Sequence, residues 1–309
     1  LRRRHVYGPV NSRRFGRSLG VDLVPHKVCS YDCSYCQLGH TTDLAGETRG
    51  FAPSEEILAD LKTALAEGAA PDVITLAGSG EPTLYQDLGA VVAGVKALTD
   101  VPLLLITNGS MLWDPAVRAA AREVDLLAPN LDAPDEATWR RINRPPADHG
   151  FDRMVEGIRE TTRGHQGQVR LEVMLLRGVN DSPAHLEAFA ALLATIPCDG
   201  VDINSPVRPV PEDDVYPCDQ ATTERAREMF GEGTEIIAKQ QGPAAPRSDR
   251  GATMDAVLDS LGRRPQTAAD LAAALRVAPN EVVKILYDAL DDGKIVAERR
   301  GGENYFKPA

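Results

Sequence analysis

Three cysteines within eight residues are the densest chemistry in the chain: Cys29-Ser30-Tyr31-Asp32-Cys33-Ser34-Tyr35-Cys36. Thiolates at spacings of four and three can wrap one inorganic cluster from a single loop. Fe–S clusters normally take four cysteines. A set of three leaves one iron open, as catalytic metal sites keep a free position that structural sites close. His26 and His40 flank the loop, so on spacing alone a tetrahedral Cys3His zinc site is the alternative. Cys198 and Cys218 lie apart, without CxxC spacing, and read as isolated core or surface thiols. Five cysteines in 309 residues are too sparse for a secreted disulfide scaffold. Clustered thiols in such a chain read as metal ligands, and a cytoplasmic location is expected.

A thiol loop needs a frame, and the rest of the chain supplies one. Short apolar runs at residues 18–24, 72–77, 102–106, 124–128, 169–175 and 200–203 read as strands buried on both faces. Amphipathic stretches between them predict helices over residues 54–65, 88–98, 115–122, 154–162, 184–193 and 222–230, with Ser54 as an N-cap. The alternation implies right-handed βαβ units and a parallel sheet. Six units suggest an incomplete (β/α)6 barrel rather than a full eight-stranded one. In such a fold the C-terminal strand ends share one face, where active sites collect. Gly78-Ser79-Gly80-Glu81-Pro82, Asn108, Asn130, Asp132 and Asn204 all stand at those ends. Glyα-carbons at Gly78 and Gly80 let a ligand approach the backbone closely. Glu172 lies within a strand and faces either the lumen or the outside.

Residues 240–252 are rich in Pro, Gly and polar residues and read as a linker between residues 1–239 and 253–309. Beyond it, helices are expected over residues 254–261, 267–275 and 280–290, with Thr267 and Asn280 as N-caps. A hairpin follows, with Gly301 and Gly302 at its turn. Three helices and a hairpin are the plan of a winged helix-turn-helix. Such modules often bind DNA. Here the recognition helix carries Glu281, Asp288, Asp291 and Asp292 against Lys284 alone, and only the wing offers Arg299, Arg300 and Lys307. That charge favours packing or a protein partner over nucleic acid. The net charge of −11 also argues against a general nucleic-acid coat protein. The first 28 residues nonetheless carry seven Lys/Arg against one Asp. No apolar run approaches the roughly 18–20 residues of a membrane helix, so no membrane partner is expected.

The chain is identified as resembling the radical S-adenosylmethionine superfamily. C-x3-C-x2-C with an aromatic residue, Tyr35, before the last cysteine carries the resemblance, together with Gly78 to Pro82 as a glycine–glycine–glutamate motif. Tyr7 to Val10, Ser12 to Arg14, Gln37 to Gly39, Ile142 to Pro145 and Asn204 to Pro209 add a likeness to the wyosine-synthase-related group over roughly residues 5–240. The resemblance implies a 4Fe–4S cluster on Cys29, Cys33 and Cys36, with S-adenosylmethionine on the open iron. Reductive cleavage would yield a 5′-deoxyadenosyl radical that abstracts hydrogen from a substrate: a small metabolite, a peptide or an RNA base. It further implies an electron donor of the flavodoxin or ferredoxin type, and oxidoreductase or transferase chemistry. Tyr35, Gly78, Gly80, Glu81, Asn108, Asn130, Asp132, Glu172 and Asn204 would then surround the cosubstrate. Arg13, Arg14, Arg144 and Arg208 are candidates for holding an anionic substrate or the cosubstrate carboxylate, since guanidinium binds such groups bidentately. Archaeal wyosine synthases carry further upstream cysteines for a second cluster, and residues 1–28 have none. A non-catalytic Fe–S or zinc sensor, with the winged helix as its output, is the competing function.

Overall fold

A computed structural model describes residues 5–12, 14–206, 210, 212, 214–237, 253–275, 277, 279–300 and 303–309. The first elements are β1 (Val6–Asn11), β2 (Arg17–Val21), the short pair β3 (Val28–Cys29) and β4 (Asp43–Leu44), and α1 (Ser54–Ala66). There follow β5 (Val73–Leu76), α2 (Leu88–Leu98), β6 (Leu103–Thr107), α3 (Pro115–Arg122), β7 (Leu126–Pro129), α4 (Glu136–Asn143) and α5 (Phe151–Arg163). Then come β8 (Gln168–Met174), α6 (Pro183–Leu193), β9 (Gly200–Asn204), α7 (Gln220–Phe230) and β10 (Glu235–Ile236). The last elements are α8 (Met254–Leu261), α9 (Ala268–Leu275), α10 (Pro279–Asp291), β11 (Ile295–Arg300) and β12 (Glu303–Pro308).

The main sheet has eight strands in the order β1-β2-β5-β6-β7-β8-β9-β10. From β2 onward every pairing is parallel, as the apolar runs predict. Leu19, Val21, Ile74, Leu76, Leu103 and Leu105 are buried, as strands covered on both faces require. All six expected strands are present. Two more extend the sheet: β10 in parallel, and β1 antiparallel to β2 with Tyr7 opposite Gly20. The alternation of β1 is interrupted by Gly8-Pro9, where its register shifts. Its two ends, β1 and β10, are not hydrogen-bonded to each other among the described residues. The fold is thus mixed α/β with a mainly parallel sheet.

Helix α4 is an addition to the expected set. It opens on Asp135, whose carboxylate accepts from Thr138 N at 2.8 Å, and ends on Arg144 in the left-handed region at φ 48°. The expected cap Ser54 is instead the first helical residue of α1, with Pro53 as the capping position. Thr267 does cap α9: its hydroxyl accepts from Asp270 N while Asp270 accepts from Thr267 N, both at 3.1 Å. The C-terminal helices and hairpin enclose a second apolar cluster of Val257, Leu261, Leu271, Val282, Leu286 and Ile295. Gln266 adds a one-residue third strand by exchanging both main-chain bonds with Phe306. The expected linker lies largely outside the described residues, as do the hairpin glycines and the side chains of Glu281 and Lys284.

Candidate functional site

The strand order brings the chemistry to one face. Cys29 ends β3, just beyond β2, and Gly78 to Glu81 follow β5. Asn108 follows β6, Asn130 to Asp132 follow β7, and Asn204 ends β9. The thiol loop leaves at β3 and returns at β4, which pair in parallel. Between them it is tied down by its backbone: Asp32 N donates to Asn143 O at 3.0 Å, Ser34 N to Ile142 O at 2.9 Å and Cys36 N to Cys33 O at 3.0 Å. Tyr31 is buried edge-on against Trp139, with ring centroids 5.6 Å apart. The loop is therefore a built feature with an apolar root.

Each thiol sulfur accepts from a different side-chain donor. Asn108 Nδ2 stands 3.7 Å from Cys29 Sγ, Asn143 Nδ2 3.3 Å from Cys33 Sγ, and Lys27 Nζ 3.4 Å from Cys36 Sγ. Burial pushes the Cys29 thiol up to about 12 and the Cys33 thiol well above its usual range. Burial thus disfavours the bare thiolate at these two positions. Asn143 Oδ1 is buried without a hydrogen-bond partner. Three thiols on one loop, each with a donor to its sulfur, fit an iron–sulfur cluster with one iron left open. The zinc alternative fits less well. His40 is turned to Asp32, 3.2 Å away, and no three of His, Cys, Asp and Glu among the described residues group closely enough for a single metal ion.

The polar strand-end residues form a network beneath the loop. Glu81 Oε1 accepts from Thr83 N at 3.0 Å, Thr83 Oγ1 at 2.5 Å and Thr107 Oγ1 at 2.6 Å; Oε2 accepts from Asn108 N at 2.8 Å. Burial pushes the Glu81 carboxyl up, and those donors pull it back. Asp132 takes Tyr35 Oη, Asn143 Nδ2 at 2.8 Å and Met174 N at 3.0 Å, and Asn130 also bonds to it. Glu172 is buried. It accepts from Asn204 Nδ2 at 3.0 Å and pairs with Arg14. The glycines answer to protein rather than to open space. A Cβ on Gly78 would stand 2.0 Å from Asp22 Oδ1, and one on Gly80 1.9 Å from Val28 O. Close backbone approach is thus required, but between protein segments.

The candidate arginines divide. Arg13 and Arg208 lie outside the described residues. Arg14 is paired with Glu172 and, at 2.8 Å, with Asp202. Burial works against its charge, yet these carboxylates hold its pKa above the usual value. Arg144 pairs with Glu212 at 2.6 Å and Asp32 at 3.8 Å. Both charges are met within the chain in this structure.

Several residues were not legible from spacing. Lys27 and Asn143 touch the thiols, and the only signals were their positions, two before Cys29 and inside Ile142-Asn143-Arg144-Pro145. Arg263, from the turn after α8, reaches the strand ends. Its guanidinium pairs with Asp22, donates to Ser79 Oγ at 3.1 Å and lies 4.7 Å above the Tyr7 ring. A cavity of about 1740 Å³ separates this module from the strand ends; Tyr7, Asp22, Tyr35, Cys36, Met174 and Arg263 line it.

The family described as the Radical SAM superfamily matches residues 23–190. A UPF0026 protein of Helicobacter pylori is 32% identical over 311 residues, covering 97% of this chain and 96% of that protein. A protein named GTPase Obg from Brachyspira hyodysenteriae is 34% identical over 300 residues, covering 96% of this chain; the chain spans 44% of that relative's length. Among solved structures, "Structure of TYW1 with a lysine-pyruvate adduct bound" aligns at a TM-score of 0.52 and 16% identity, over 74% of this chain and 76% of that one. A radical SAM methyltransferase from Sphaerobacter thermophilus aligns at 0.53 and 19% identity, over 71% and 65%. At such identities these structures speak to fold alone.

Proposed function

The chain belongs to the radical SAM superfamily, whose members use a 4Fe–4S cluster and S-adenosylmethionine, and from that premise we propose that Cys29, Cys33 and Cys36 hold the cluster. The observation that carries this reading is the loop itself: three thiols, each met by its own N–H donor, above the ends of parallel strands. When bound, cluster and cosubstrate supply a 5′-deoxyadenosyl radical by one-electron cleavage of the sulfonium.

The chain's own residues orient and enclose. Glu81, with four donors on its carboxylate, locks the loop after β5 to the one after β6, and so holds Asn108 beside Cys29. Asp132 joins Tyr35 of the thiol loop to Asn143 at the end of α4 and to the backbone of β8. Asn130, Glu172 and Asn204 extend that network into the interior. In this reading Tyr35 and Gly78 wall the cosubstrate pocket, Gly80 lets the loop after β5 pack on Val28, and these polar residues fix the pocket's shape more than they contact ligand. The helices and hairpin of residues 253–309, read as a winged-helix-like module, cover the mouth and limit water. The substrate is a small metabolite, a peptide or an RNA base, and the electron donor is of flavodoxin or ferredoxin type.

Anaerobic reconstitution with iron and sulfide, followed by dithionite and S-adenosylmethionine, tests the proposal. The expected result is 5′-deoxyadenosine from the wild type and none from the triple variant C29A/C33A/C36A. Zinc in place of iron, with no 5′-deoxyadenosine, would sink it and leave the sensor reading.

A further inference from the structure

Lys27 stands apart from the other donors at the thiols because it carries a full charge. Its side chain is buried, with the residue 4% exposed. The ammonium donates to Gly39 O and to Cys36 Sγ. Among the described residues no carboxylate pairs with it. A buried ammonium is costly to keep unless a countercharge lies close by. Cys36 Sγ, 3.4 Å away, is such a countercharge once it is a thiolate.

The backbone of Lys27 is also held deliberately. Its φ is 61°, a left-handed conformation that side chains rarely adopt. Such a residue persists only where its surroundings over-determine it. Here Lys27 N donates to Ser79 O at 2.6 Å, and Lys27 O accepts from Thr42 N at 3.2 Å and Asp43 N at 3.3 Å. Both anchors belong to the site: Ser79 lies in the loop after β5, and Thr42 and Asp43 end the thiol loop. Glycine would relieve the strain at this position, yet it would remove the cation.

We propose that Lys27, with Asn108 and Asn143 as neutral companions, sets the reduction potential of the cluster by stabilising its reduced form. The proposal rests on the cluster reading above. A cubane core of two positive charges with three thiolates carries one net negative charge, and one-electron reduction doubles it. A fixed cation and N–H donors at the sulfurs therefore favour the reduced state, and cluster potentials respond to both. The electron comes from the external donor, dithionite in the test; no bond is made or broken.

The full-length wild type, K27R, K27Q and K27M are reconstituted anaerobically. Iron content is measured, and the cluster is titrated by EPR against mediators without S-adenosylmethionine. At the potential where half the wild-type cluster is reduced, the reduced-to-oxidised ratio of K27M is expected to fall about tenfold, a midpoint about 59 mV more negative for one electron. K27R should match the wild type and K27Q should lie between. A K27M midpoint equal to that of the wild type, at equal iron content, overturns the proposal. If K27M takes up no iron, K27Q against K27R decides: a lower midpoint in K27Q supports it and equal midpoints overturn it. Failure of the cluster reading is separately visible, because the wild type would then bind no iron.

Discussion

At the scale of single residues, the site is a set of polar groups that mostly serve one another. Cys29, Cys33 and Cys36 were legible because their spacing is a property of the sequence. The work of Glu81, Asp132 and Glu172 was not, because their partners come from distant parts of the chain: Thr107 on β6, Asn143 at the end of α4 and Arg14 between β1 and β2. The glycines make the same point. At Gly80 the missing Cβ makes room for Val28 O, a neighbour that spacing does not reveal, and Glu81 N donates to that same oxygen at 3.1 Å. G80A should therefore push the loop after β5 away from the thiol loop. The expected cost is about 2 kcal/mol, as for other overpacked sites, with reduced iron content after reconstitution. Urea titration and iron analysis measure both; unchanged stability with full iron would show that the two loops are not rigidly coupled.

At the scale of elements, periodicity did well where packing follows it. Helices α2, α3 and α8 begin and end where the pattern predicts. Short β3, β4 and β10 carry no readable period, since two residues cannot alternate. Helix α5 shows how packing can reverse a propensity. Replacing a helix-interior glycine with alanine ordinarily gains about 1 kcal/mol. Gly157 sits in α5 against the main chain before α3, and a Cβ there would stand 2.5 Å from Trp113 N and 2.8 Å from Leu112 C. G157A should thus destabilise the chain by about 1–2 kcal/mol, the overpacking outweighing the propensity. A thermal melt of the variant checks the sign, and a raised Tm would contradict the close contact.

At the scale of the whole molecule, a charged contact of defined geometry helps join the C-terminal module to the strand ends. Asp22 is buried, its Oδ1 accepting from Ser79 N at 2.6 Å and its Oδ2 facing Arg263. The sequence showed a C-terminal module but not where it sits, because nothing in local pattern encodes a pairing between residues 22 and 263. Stranding a buried carboxylate costs about 3–5 kcal/mol when its partner is fully buried. Arg263 retains 20% side-chain exposure, so R263A should cost roughly 2 kcal/mol. D22N in the same chain should recover part of that, since its amide oxygen still accepts from Ser79 N. The double-mutant cycle in urea tests this coupling; equal losses in R263A and D22N/R263A would remove it.

That socket has a consequence in time. Tyr7, Asp22 and Ser79 all precede Arg263 in the chain, and a ribosome makes residues in that order. The thiol loop and its strands are therefore synthesised before the residue that seats the cover. During that interval the strand ends and the thiol loop emerge without the residues that later face them across the cavity. The order of translation thus leaves the mouth open until residue 263 arrives to seat its cover.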